Sequence, residues 1–114
     1  MEHEQREARR ELWLAWETRY WEGVEARLGS SSSAGPQRTY DDVTVMLDPW
    51  SDEGECDFIV AESSLGLPGS SVPHIRFRDF WDRHEPSAIV GRTLELVERM
   101  RADPVHQMIH RARG

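Results

Sequence analysis

The chain has 114 residues, a formal net charge of −7 and a mean hydropathy of −0.69. This length suits one compact domain with a modest core and is too short for two. No run of about 18 apolar residues is present and the N-terminus lacks the basic-then-apolar order of a signal peptide, so we expect a cytoplasmic protein that does not cross a membrane.

The fourteen basic residues are all arginine, and the chain contains neither lysine nor asparagine. Because the codons of both missing residues are rich in A, this composition indicates a GC-rich genome, such as that of a bacterium or its phage. The single cysteine, Cys56, cannot form an internal disulfide. Since it lies in an alternating apolar run, we expect a small buried thiol and not a nucleophile.

The negative charge is concentrated in the middle of the chain. Residues 39–75 contain eight acidic residues and no arginine, whereas residues 76–114 contain eight arginines and six acids. The middle segment should therefore project negative potential, which disfavours direct binding of nucleic acid.

The first third of the chain has the pattern of a long helix. Apolar and aromatic residues recur at steps of three and four between residues 12 and 28, which predicts a helix over residues 2–28. Residues 1–11 are nearly all charged and should form a solvated helical extension. The Ser-rich stretch 30–39 that follows Gly29 is expected to be a flexible linker.

Two alternating apolar runs, 43–47 and 56–60, flank the acidic loop DPWSDEGE and predict a β-hairpin with one buried face. The side chains that should share this face are Val43, Val45, Leu47, Cys56, Phe58 and Val60.

A third strand is predicted at 74–80 by the alternation in HIRFRDF, after a Gly/Ser/Pro loop at 63–73. Its arginines should face Glu55 and Asp57 across the ladder. Pro86 opens a second helix that should end near residue 102, with a short C-terminal helix beyond it. In the second helix, Gly91 should let a neighbouring element approach closely.

The predicted fold class is α+β, in the order αβββα. It consists of a three-stranded antiparallel meander, two long helices packed on one face, and a short C-terminal helix. Residues 1–114 should form a single domain.

The acidic loop is the main candidate binding site. Its predicted partner-binding residues are Trp50, Asp52, Glu53, Glu55 and Asp57. Tryptophan is a frequent anchor of protein interfaces, and the surrounding acids would steer the loop toward a basic partner surface. The alternative is a solvated acidic turn with no function.

The aromatic residues of the first helix allow three interpretations. Trp13, Trp16, Tyr20 and Trp21 offer more aromatic area than a three-stranded sheet readily covers. They could pack in the core, form the self-interface of a homodimer, or line an aromatic pocket for a small ligand.

The histidines offer weaker candidates. His106 and His110 are spaced i and i+4, as in zinc sites, but the chain supplies no third ligand after them. His74 and His84 are candidate acid–base groups, yet the sequence offers no convincing nucleophile. We therefore assign no catalytic residue and no cofactor.

The sequence favours a small interaction module that binds and inhibits or tethers another protein, as immunity proteins, antitoxins and phage-encoded inhibitors do. An alternative is a small-molecule-binding or catalytic domain that uses an aromatic pocket with His74 and His84. A second alternative is a DNA-mimic inhibitor, which requires carboxylates spaced like the phosphates of a duplex.

Overall fold

The computed structural model describes residues 2–31, 35–51, 53–62 and 74–113, with the side chains of residues 4–108 within these ranges. The helices are α1 (Glu2–Leu28), α2 (Pro86–Ala102) and α3 (Pro104–Arg113). The strands are β1 (Gln37–Tyr40), β2 (Val43–Pro49), β3 (Glu55–Glu62) and β4 (His74–Phe80), and a 3₁₀ turn (Trp81–Arg83) follows β4. No helix in these ranges is apolar over a length that could cross a bilayer.

The four strands form one antiparallel sheet in the order β1-β2-β3-β4. The predicted α+β class is confirmed, but the three-stranded sheet and the order of elements are wrong. β1 overlaps the end of the predicted linker. The sequence does not predict this strand, because only Tyr40 among its four residues is buried and no apolar alternation results. Asp41, at φ 59°, makes the turn into β2, a conformation that Asp tolerates better than most residues. The observed order is αββββαα.

The predicted buried face of the hairpin is confirmed, since all six side chains assigned to it are buried. On the inner face, Phe58 pairs with Leu47 of β2 and with Phe77 of β4. On the outer face, Asp57 lies directly opposite Arg78 as predicted, but the prediction for Glu55 is wrong, because Glu55 lies opposite Phe80 and Arg76 lies opposite Ile59. The sheet therefore has one apolar face for the helices and one polar face.

Both long helices pack on the inner face, around Phe58. The rings of Trp16 and Tyr20 of α1 each lie 6.0 Å from the Phe58 ring, centroid to centroid. α2 packs beside α1, and a buried 2.8 Å hydrogen bond joins the Tyr20 hydroxyl to the Thr93 hydroxyl. Burial raises the pKa of the Tyr20 hydroxyl well above its ordinary value, so this group remains a neutral hydrogen-bonding partner.

The 3₁₀ turn is held against α1 by aromatic packing. The buried ring of Trp81 meets Trp13 edge to face at 5.3 Å and Trp16 at 6.1 Å. The Trp16 indole N–H also donates to the His84 carbonyl at 3.0 Å. These contacts fix the end of β4 relative to the middle of α1.

The close approach predicted for Gly91 occurs at Gly23 instead. A Cβ built on Gly23 would lie 2.9 Å from a methyl group of Val90, where α1 meets α2. A Cβ on Gly91 would meet no atom within 4 Å, because this residue faces outward. The sequence pattern alone does not reveal which of two helical glycines lies at a helix contact.

Gly23→Ala and Gly91→Ala should therefore differ in their effects on stability. Alanine gains about 1 kcal/mol of helix propensity over glycine at either site. At Gly23 the new methyl overpacks against the stiff Val90 side chain, which costs about 1–3 kcal/mol. Urea denaturation should show a stabilised Gly91→Ala protein and a destabilised or unchanged Gly23→Ala protein. Equal stabilisation of both variants would contradict the close helix contact.

Candidate functional site

The loop between β2 and β3 is closed by its own hydrogen bonds. The Trp50 N–H donates to the Glu55 carbonyl at 3.1 Å, and the Gly54 N–H donates to the Ser51 carbonyl at 3.3 Å. The Ser51 hydroxyl also accepts from the Glu53 N–H at 2.9 Å. We name residues 48–51 and 53–55 the hairpin tip.

Gly54 fixes the hairpin tip to the rest of the fold. Its φ of 102° is one that side-chain-bearing residues rarely adopt, and its carbonyl accepts a 3.0 Å hydrogen bond from the Trp81 N–H. A Cβ on Gly54 would lie 2.7 Å from Asp82 Oδ1 and 2.8 Å from Arg9 Nη2. The backbone conformation therefore favours glycine here, and a larger residue would also displace the ends of the Asp82 and Arg9 side chains.

Trp50 is displayed on the outer side of the hairpin tip. Its side chain is 48% exposed, and the guanidinium carbon of Arg78 lies 4.6 Å from its ring centroid. Arg78 in turn donates two hydrogen bonds to the Asp57 carboxylate, at 2.7 and 3.4 Å. Hydrogen bonding from Arg78 lowers the pKa of Asp57 below its ordinary value, and it outweighs the opposing effect of burial.

The predicted acidic residues differ in how exposed they are and in whether they form ion pairs. Asp57 is only 5% exposed and is neutralised by Arg78 and, at 3.9 Å, by Arg76. Glu53 is exposed and Glu55 is half-buried. Asp52 lies outside the described residues. Asp48, two residues before Trp50, also has an exposed carboxylate, although it is not among the residues predicted from the sequence.

A cavity of about 550 Å³ opens on the other side of the hairpin tip, between this loop, α1 and the 3₁₀ turn. We name it the arginine cleft. Its lining residues are Gln5, Arg6, Arg9, Arg10 and Trp13 of α1, Pro49 and Ser51 of the loop, and Trp81.

The arginine cleft owes its charge to a regular pattern on α1. Arg6, Arg9, Arg10 and Trp13 are spaced i, i+3, i+4 and i+7, which places them on one face of the helix. This spacing is visible in the sequence, but the prediction of a solvated helical extension over residues 1–11 does not use it. Arg9 joins this segment to the fold, because it donates to Asp82 at 2.8 Å and lies 5.2 Å from the Trp81 ring centroid.

The two candidate acid–base histidines lie apart. His74 is exposed at the first residue of β4, whereas His84 follows the 3₁₀ turn beyond the other end of that strand. The strand alone separates them by about 20 Å, at roughly 3.3 Å per residue. His84 lines a cavity of about 360 Å³ with Trp16 and Trp81, and its Nε2 is 3.1 Å from Asp79. The structure therefore contains an aromatic cavity, but only His84 lies in it.

His106 is buried in a cluster of carboxylates that the sequence pattern does not reveal. Its Nε2 is 2.7 Å from Asp42 Oδ2, and its Nδ1 contacts the buried carboxylate of Glu62. Each of its two ring nitrogens thus faces a carboxylate, so the imidazole links Asp42 to Glu62. Arg101 completes the cluster with a 2.9 Å contact to Asp42. The cluster ties α3 to the ends of β2 and β3.

This cluster changes the zinc interpretation of His106 and His110. Both nitrogens of His106 are in direct contact with carboxylate oxygens, which leaves no position between them for a metal ion. The side chain of His110 lies outside the described residues. Among the side chains that the structure describes, no group of three or more ligating residues could hold a metal ion.

Most of the predicted aromatic self-interface is buried within one chain. Trp16, Tyr20 and Trp21 are each less than a tenth exposed, and Trp13 is half-buried. Core packing therefore accounts for three of these four side chains. The large apolar side chains that α1 does expose are Leu12 and Leu14.

Comparison of the chain with protein-family models, with curated proteins and with solved structures found no match.

His106→Leu should strongly destabilise the fold. The substitution leaves the Glu62 carboxylate, which is fully buried, without the imidazole that contacts it, and loss of a partner by a buried polar group costs about 1–3 kcal/mol. The same substitution at His74, which is exposed, should change the free energy of unfolding by about 0.5 kcal/mol or less. Urea denaturation at neutral pH compares the two, and equal costs would contradict the cluster.

Acid should destabilise the protein through three aspartates. Hydrogen bonding from Arg78 lowers the pKa of Asp57, and in Asp42 and Asp79 hydrogen bonds outweigh the effect of burial, so that all three pKa values lie below the ordinary 3.8. Such groups stabilise the fold fully above their unfolded pKa, and they lose this contribution as the pH falls through the folded value. The free energy of unfolding should therefore fall below about pH 4. A rise in stability between about pH 4 and pH 3 would contradict these contacts.

Proposed function

We propose that this chain is a small cytoplasmic interaction module that uses the hairpin tip to bind a partner protein with a basic surface, and so inhibits or tethers that partner. The observation that carries the proposal is Trp50. A large ring that is 48% exposed, in a loop closed by its own hydrogen bonds, has the form of an interface anchor.

The internal contacts of the hairpin tip favour binding. A loop that must become ordered on association loses free energy of about 0.5–1.5 kcal/mol for each immobilised side chain. The Trp50 ring is already held by Arg78, and the backbone is held by Gly54. The tip can therefore present its tryptophan to a partner at a reduced entropic cost.

The charges around Trp50 favour a basic partner surface. Asp48 and Glu53 are exposed beside it, and Glu55 is partly so. Carboxylates at the rim of an interface mainly increase the association rate and contribute less to the final affinity. Because Asp57 is neutralised within the fold, the local negative charge is smaller than the sequence implies, and this weakens the case for a DNA mimic.

Trp50→Ala should abolish capture of the partner, whereas Leu14→Ala should not. Leu14 is a matched control because it is also a large exposed apolar residue, and it belongs to α1 and not to the hairpin tip. The immobilised proteins would be exposed to a lysate of the source organism, and the retained proteins identified by mass spectrometry. A partner that binds the wild type and Leu14→Ala but is lost with Trp50→Ala supports the proposal. Identical sets of retained proteins for all three would contradict it.

Glu53→Arg should slow association with that partner in a salt-dependent way. Attraction between exposed charges is screened over about 10 Å at 0.1 M salt and about 3 Å at 1 M salt. Surface plasmon resonance should therefore show a lower association rate for Glu53→Arg at low salt and converging rates at high salt. Equal association rates at low salt would contradict electrostatic steering by the hairpin tip.

A further inference from the structure

The arginine cleft carries positive charge, whereas the hairpin tip carries negative charge. The cleft contains three arginines in a protein of net charge −7, and none of its described lining residues carries a carboxylate. The acids of the same helical segment whose side chains are described, Glu4, Glu7 and Glu11, are exposed and are absent from the described lining of the cleft. The helix thus segregates its charges, with cations toward the cavity.

Two of the three cations in the cleft are available to a ligand. Arg9 is already paired with Asp82, whereas no described residue forms an ion pair or hydrogen bond with the side chains of Arg6 and Arg10. Residues spaced i and i+4 lie about 6 Å apart on a helix surface, so both guanidinium groups can reach one anionic group. Guanidinium forks match the oxygens of a phosphate especially well.

The remainder of the cleft is suited to a planar apolar group. Trp13 is half-buried, because one side of its ring stacks on Trp16, and its exposed part lines the cavity. Pro49 and the edge of Trp81 extend this apolar surface. Stacking of a nucleic-acid base on an aromatic side chain contributes a free energy large enough to be measured by substitution.

The size of the cleft favours a small molecule over a bare ion. Its volume of about 550 Å³ lies within the range of roughly 300–1,000 Å³ that is usual for small-molecule sites. An inorganic phosphate would leave the tryptophan surface uncovered. Three separate elements, α1, the β2–β3 loop and the 3₁₀ turn, contribute to the lining, so the cavity is shaped by the fold and not by one helix.

We propose that the arginine cleft binds a nucleoside phosphate, with its phosphate on Arg6 and Arg10 and its base against Trp13. This site adjoins the proposed partner surface through Pro49 and Ser51, but its ligand-binding groups, Arg6, Arg10 and Trp13, lie on α1 and require no partner protein. It can therefore fail or succeed independently of the proposed function.

The test is a titration of the purified wild-type protein with ADP, inorganic phosphate and adenosine, followed by NMR and calorimetry. Saturable binding of ADP should shift the indole N–H signal of Trp13. Inorganic phosphate and adenosine should each bind at least about tenfold more weakly than ADP, because each makes only half of the contacts. Absence of saturable ADP binding at millimolar concentration would overturn the proposal, as would phosphate binding as tight as that of ADP.

A pair of double variants locates the site. Arg6→Gln/Arg10→Gln should weaken ADP binding at least about tenfold. Arg27→Gln/Arg99→Gln removes the same charge from exposed positions outside the cleft, and it should leave ADP binding within about twofold of the wild type. Equal weakening by both pairs would show a general charge effect and overturn the assignment to the cleft. Circular dichroism of each variant establishes that it is folded.

Discussion

The packing of α1 on Phe58 is the contact on which the remaining structure depends. Phe58 is fully buried at the centre of the sheet, and the rings of Trp16, Tyr20 and Phe77 surround it. Each such aromatic side chain buries about 150–250 Å² of surface, so these few rings supply a large part of the hydrophobic stabilisation of a small core. Their interlocking also sets the direction in which α1 crosses the sheet.

Both candidate surfaces follow from that direction. Three turns before Tyr20, the helix passes beside the β2–β3 loop and places Arg9 on the Asp82 carboxylate. An ion pair with this degree of exposure contributes only about 0–1 kcal/mol, so it cannot position the helix by itself. The aromatic packing holds α1 in place, and the arginines of its first turns then form one wall of a cavity next to the hairpin tip.

The sequence predicts the parts of the fold that have strong periodicity and misses those that depend on tertiary contacts. Alternation identified β2, β3 and β4, and it correctly placed Arg78 opposite Asp57. β1 was missed because a short edge strand with one buried residue has no alternation to detect. The inward orientation of His106 was missed because it depends on Asp42 and Glu62, which are more than 40 residues away in the sequence.

The two candidate surfaces differ in how well the sequence anticipates them. Trp50 can be selected from the sequence as an exposed anchor, because a turn-rich loop rarely buries a ring as large as that of tryptophan. The neutralisation of Asp57 could be anticipated from the strand pattern, but its burial could not. The arginine cleft forms only where the β2–β3 loop and the 3₁₀ turn pack beside α1, and no local sequence pattern predicts these tertiary contacts.

Amide hydrogen exchange measured by NMR tests most directly whether the packing of α1 organises both surfaces. The account predicts that the amides of Arg9, Arg10 and Trp13 exchange slowly, within about tenfold of those of Trp16 and Tyr20 in the buried part of α1. It also predicts protection of the Gly54 amide. Exchange at the rate of an unfolded chain for residues 9–13 and Gly54, beside a protected helix centre, would show that neither surface is preformed and would contradict the account.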